Sequence, residues 1–138
     1  ISVSAFLLNR SSDLAIYPDN LGTINDTEDS TFYGAWNKVL GYYLENRPFM
    51  KVLIIVTVGT GTVFAQAIRD VASKWGYPVL DWLTDKTLPA FFQKDGMSDT
   101  AKNLRRDAFG YNGPVAEHPN PAWHEYESTI IEARLRAI

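Results

Sequence analysis

Two short stretches of the chain are apolar almost without interruption, DLAIY (13–17) and KVLIIVTV (51–58). Runs of this length, rich in Ile and Val, have the pattern of strands buried on both faces. Between them the period changes to three and four. Phe32, Trp36, Val39, Leu40 and Tyr43 fall on one helical face, Ser30 or Thr31 can cap it, and Asn46 and Pro48 mark its end. After Gly59 the same arrangement returns, with Val63, Phe64, Ala67, Ile68, Val71 and Trp75 on one face and Gly76 placed to terminate the helix. YPVLDWL (77–83) reads as a further strand, Ser98 as the cap of a short polar helix through Arg106, and FGYNGP (109–114) as a turn-rich loop. The last helix opens with Asn120 as N-cap and Pro121 in the first helical position, and its pattern buries Trp123, Tyr126, Ile130 and Leu135. Strands alternating with helices predict an α/β sandwich with right-handed crossovers.

Composition narrows the function classes. At 138 residues with 46% hydrophobic and 13% aromatic side chains, the chain has the size and apolar content of one domain spanning 1–138. A net charge of -3, from 13 basic and 16 acidic residues, leaves no basic stripe for a phosphate backbone, so nucleic acid is not an expected partner. No apolar run reaches the roughly 18 residues of a membrane helix, and a soluble chain without a membrane span is expected. The absence of cysteine excludes disulfides and a thiolate nucleophile, and two histidines are too few for a histidine-rich zinc site. No metal and no cofactor are predicted. ISVSAFLL at the start lacks a basic n-region and a cleavage site and reads as a core strand, not a signal peptide.

In open α/β sheets ligands bind beyond the carboxyl ends of the strands, which directs attention to three loops. PDNLGTIND, after Tyr17, carries Gly22, Asn25 and Asp26, residue types that turn chemistry alone explains. GTGT (59–62) could aim backbone N–H groups at a phosphate, but it lacks the P-loop lysine and reads more simply as a strand-to-helix turn. The third is EHPNPAWHEYE (117–127), which holds both histidines of the chain. Fixed between a long loop and Pro119 with the Asn120 cap, His118 is held in one orientation, as a general base requires. His124, on the helix, reads as a packing or hydrogen-bonding residue.

The block HPNPAWHEYESTIIEARL resembles the last conserved block of the SGNH (GDSL-type) ester hydrolases, in which a loop of the form Asp-x-x-His-Pro-Asn enters the C-terminal helix. The DLAIY strand, GTIND loop, TFYGAWNKVL helix, KVLIIVTV strand and AIRDVASKWGYPVLDW segment follow in an order similar to that family's. The resemblance implies a flavodoxin-like, three-layer α/β/α sandwich with a mostly parallel sheet. It also implies a serine ester hydrolase that cleaves a small acyl ester, with an acetylated carbohydrate among the substrates it suggests. His118 matches the family's catalytic base, and Asn25 is the candidate for the oxyanion-hole asparagine. The family's aspartate three residues before the histidine is replaced by Val115, leaving Asp95, Asp107 and Glu117 as the nearby acids. The run from Gly22 to Asp26 is one residue longer than the family's Gly-x-Asn-Asp block, and no Gly-Asp-Ser nucleophile stretch occurs.

These departures admit a catalytically degenerate binding module on the same scaffold. They also admit a polypeptide longer than this chain, incomplete here at its N-terminus and in its loops and bearing the nucleophile upstream of DLAIY; the second is the expectation. A phosphate-ligand binder at the Gly59–Thr62 turn is the remaining alternative. Compartment and oligomeric state stay open.

Overall fold

Capping side chains and one glycine set the helix boundaries. A computed structural model describes residues 20–57, 62–85, 87–88, 98–110 and 119–138. Helix α1 (Phe32–Asn46) begins where the Thr31 hydroxyl accepts the Gly34 N–H at 3.1 Å, satisfying one of the orphan donors of the first turn. Strand β1 (Ile54–Val56) follows, then α2 (Thr62–Trp75). Helix α2 closes at Gly76, whose φ of 71° lies in the left-handed region, while the Tyr77 N–H reaches back to the Ala72 carbonyl at 2.9 Å. That is the six-to-one bond of a Schellman motif, and glycine adopts its conformation without a Cβ penalty. Strand β2 (Val79–Asp81) leads to α3 (Asp99–Phe109), capped by Ser98, and to α4 (Pro121–Ala137), capped by Asn120.

The expected three-layer α/β/α sandwich with a mostly parallel sheet is not what forms. The described residues are 59% helix and 8% strand, with one parallel sheet of two strands. The pairing starts with the Ile54 N–H donating to the Pro78 carbonyl at 3.0 Å. The physical reason lies in the apolar runs. KVLIIVTV and YPVLDWL each contribute only three residues to a strand; burial rewards an apolar run in any backbone conformation, so hydrophobicity alone does not oblige it to join a ladder. The DLAIY strand, the ISVSAFLL stretch and the GTGT turn up to Thr62 lie outside the described residues.

The chain divides into two compact units, residues 1–56 with 60–79, and residues 57–59 with 80–138. In the first, α1 packs on α2 around Phe32, Leu40, Ile54, Val56, Phe64, Ile68 and Val71. Gly41 makes this approach possible: a Cβ there would stand 3.1 Å from the Trp75 ring. The Tyr33 hydroxyl donates to Asp70 across the same helix pair at 2.8 Å, and burial together with that carboxylate pushes the phenol up to about 12. In the second unit the core is aromatic: Trp82 and Trp123 meet edge to face with centroids 5.2 Å apart, alongside buried Leu80, Leu88 and Leu135. Of the α4 residues read as buried, Trp123 and Leu135 are, Ile130 is half-buried, and the Tyr126 residue is 41% exposed. No helix among the described residues is long and apolar enough to cross a membrane.

Candidate functional site

The His-Pro-Asn junction is built by a bond network that starts at Asn120. Its Oδ1 accepts the Trp123 N–H at 3.0 Å, capping α4, while its Nδ2 donates to the Ala108 carbonyl at 3.0 Å and to the Gly110 carbonyl at 3.4 Å. One side chain thus terminates the loop and ties α4 to the end of α3. The backbone repeats the tie: the Asn120 N–H donates to the Phe109 carbonyl at 2.8 Å, and Pro119 faces Gly110 in an isolated antiparallel bridge. Pro121, with no N–H to satisfy, suits the first helical position. Gly110 and Pro119 are therefore held against each other. His118 is bonded directly to the pinned Pro119, but it lies outside the described residues, as do Val115, Glu117 and Asp95. Asp107 is exposed on α3.

Below this junction the first turns of α4 carry His124 and Glu127. His124 Nδ1 stands 3.8 Å from the Glu127 carboxylate, with the imidazole largely exposed and the carboxylate largely covered. Burial pushes the Glu127 carboxyl above its ordinary range, opposed by the His124 imidazole and by the Trp123 and Trp82 side chains. Among the described residues the buried Trp82 Nε1–H has no partner at hydrogen-bond geometry, so it acts on Glu127 from longer range. The sequence pattern does not single out Glu127; its signal is the i, i+4 spacing from Trp123, which puts an acid on the helix's most buried stripe.

The GTIND loop belongs to the other unit and is held by side chains. The Asp26 carboxylate accepts the Thr23 hydroxyl at 2.6 Å, the Thr23 N–H at 3.0 Å and the Thr31 hydroxyl at 3.0 Å. Those hydrogen bonds, led by the Thr23 hydroxyl and N–H, hold its carboxyl below the usual range. Asn37, buried on α1, donates to the Ile24 carbonyl at 2.9 Å and the Asp26 carbonyl at 2.8 Å while its own oxygen accepts the Trp75 indole N–H at 2.8 Å. Lys74 adds a bond to the Ile24 carbonyl at 2.7 Å. Gly22, at φ 71°, lets the loop turn tightly against Asp26 and Thr31. Asn25 sits exposed at the tip of this turn, between the two carbonyls that Asn37 holds, and its side chain joins none of these bonds.

No group of three metal-ligating side chains occurs among the described residues. Comparison with known proteins gives a fold relationship. No family profile matches the chain, and no curated protein matches it. A crystal structure of a Lactobacillus plantarum protein, solved as a structural genomics target, superposes with a TM-score of 0.60 at 21% identity, covering 87% of this chain. The chain spans 60% of that protein's length. At this identity the likeness concerns the fold alone.

Proposed function

We propose that the protein hydrolyses a small acyl ester with His118 as general base. The observation that supports this reading is the pinned junction directly after His118: Pro119 is bridged to Gly110, and Asn120 both caps α4 and holds the Ala108 carbonyl. A base works by standing within hydrogen-bond reach of the proton it takes, so an anchored backbone on one side of the imidazole is what such a residue needs. In the proposed reaction a serine hydroxyl attacks the ester carbonyl carbon as its proton passes to the His118 ring. The tetrahedral adduct expels the alcohol, which takes that proton back, and water then releases the acid by the same path. The serine itself is not assigned to a residue of this chain.

The test is cleavage of p-nitrophenyl acetate by the purified protein, with fluorophosphonate labelling to reveal an activated serine. His118→Ala should lower kcat by at least about a hundredfold with an unchanged melting temperature, the scale of lost acid-base catalysis. His124→Ala should cost far less. An inactive, unlabelled wild-type protein, or equal losses from the two histidines, would remove the reading.

A further inference from the structure

Lys102, Arg105, Arg106 and Phe109 fall at the i, i+3, i+4 and i+7 positions of α3 and share its half-buried face. Lys102 is paired with Asp99 at 3.3 Å. Arg105 and Arg106 have no carboxylate within ion-pair distance among the described residues, in a chain whose net charge is -3. The Arg105 guanidinium lies over the Phe109 ring at 5.5 Å, and Phe109 lies nearly parallel to Tyr126, tilted by 18° with centroids 6.3 Å apart. Trp123 contacts both rings, with centroids 5.4 Å from Phe109 and 5.6 Å from Tyr126. Cations and rings are thus assembled on one surface, and Phe109 is the residue whose carbonyl holds the Asn120 N–H. The surface is continuous with the junction that follows His118.

We infer that this surface binds a ligand joining a carboxylate to an aromatic ring. A guanidinium takes a carboxylate through two parallel hydrogen bonds. The exposed Tyr126 ring offers a stacking or edge contact to a second aromatic ring at the same place. Local positive charge in an otherwise acidic chain also orients such a ligand, carboxylate toward α3 and ring toward α4. The identity of the ligand as a reaction participant rests on the ester-hydrolase reading: there it is the acid released from an aromatic acyl ester.

Binding is measured apart from turnover, by titration calorimetry and by 15N amide shifts of the full chain with trans-cinnamate. Cinnamyl alcohol, which lacks the charge, and cyclohexanecarboxylate, which lacks the aromatic ring, serve as comparators. Cinnamate should bind saturably, shift the amides around Arg105 and Tyr126, and exceed both comparators by about tenfold or more. Arg105→Gln and Tyr126→Leu, both at solvent-accessible positions, should each weaken it by about tenfold while melting as wild type does. Absence of saturable cinnamate binding, equal binding of the comparators, or affinity indifferent to both substitutions would overturn the inference. If cinnamate binds as described but p-nitrophenyl acetate is not cleaved, the hydrolase reading fails and the site stands. Cleavage without cinnamate binding has the opposite meaning.

Discussion

The loop before α1 and the junction before α4 solve the same problem in different materials. Each delivers the chain to a capped helix N-terminus, Thr31 in one case and Asn120 in the other. The first is secured by polar side chains that reach in from elsewhere: Asp26, Asn37, Lys74 and, through Asn37, the Trp75 indole. The second is secured by a short backbone bridge, one asparagine and the packed rings of Trp82, Phe109 and Trp123. Hydrogen bonds to backbone carbonyls fix a loop's direction but leave its stability dependent on every partner being present. Ring packing is less directional and carries more free energy per side chain. The two regions should therefore fail under different substitutions.

The largest effect belongs to Trp123→Ala. Trp123 is 2% exposed and meets Trp82, Phe109 and Tyr126. Truncating a buried tryptophan removes its apolar contacts and leaves a cavity, a loss of about 3 to 5 kcal/mol. Urea unfolding followed by far-UV circular dichroism measures it, and amide exchange should rise through α4 and at Asn120. A loss below about 1 kcal/mol would show that the junction does not depend on its rings, since surface positions cost no more than that.

Asn37→Ala should come next, at about 2 kcal/mol, because it removes a buried side chain, strands the half-buried Trp75 N–H and releases two carbonyls at once. The Asp26 and Tyr33 amides, bonded to the Thr23 and Leu21 carbonyls, should exchange faster, with the Asn120 amide left as it was. Equal acceleration of both loops would erase the distinction between them.

Much of this anatomy was legible beforehand. Thr31, Ser98, Asn120, Pro121 and Gly76 mark helix ends because each meets a backbone requirement that few residue types meet, and all five stand where the sequence puts them. Long-range polar bonds were not legible. Asn37 takes part in a network linking it to Ile24 and Trp75, and nothing local distinguishes it from a solvated asparagine, except that it shares the stripe of Tyr33 and Leu40. The sheet was overestimated for a related reason: a run such as KVLIIVTV declares its burial but not its hydrogen-bond partner. For the candidate site, the cap at Asn120 could be read directly. The ring surface formed by Phe109 and Tyr126 could not, because it joins two helices across a loop.

The smallest effect is also the one whose sign discriminates most sharply between ring packing and hydrogen bonding at α4. Glu127 is a largely covered carboxylate whose proton is held to higher pH than the ordinary value of 4.5, with burial as the chief cause. Between that ordinary value and its raised folded one, the folded protein binds more protons here than the unfolded chain, so stability falls as pH rises through the window. At neutral pH the full cost of keeping the charge covered is present; below about pH 4 the carboxyl is protonated in both states and the cost is gone. Glu127→Gln keeps the shape and removes the charge. It should raise the melting temperature at pH 7, by an amount equivalent to about 0.5 kcal/mol, and leave it unchanged near pH 4. A glutamine variant less stable than wild type at pH 7 would mean that the indole N–H groups of Trp82 and Trp123 favour the carboxylate more strongly than burial opposes it, and the junction would then depend, like the Asp26 loop, on its polar groups.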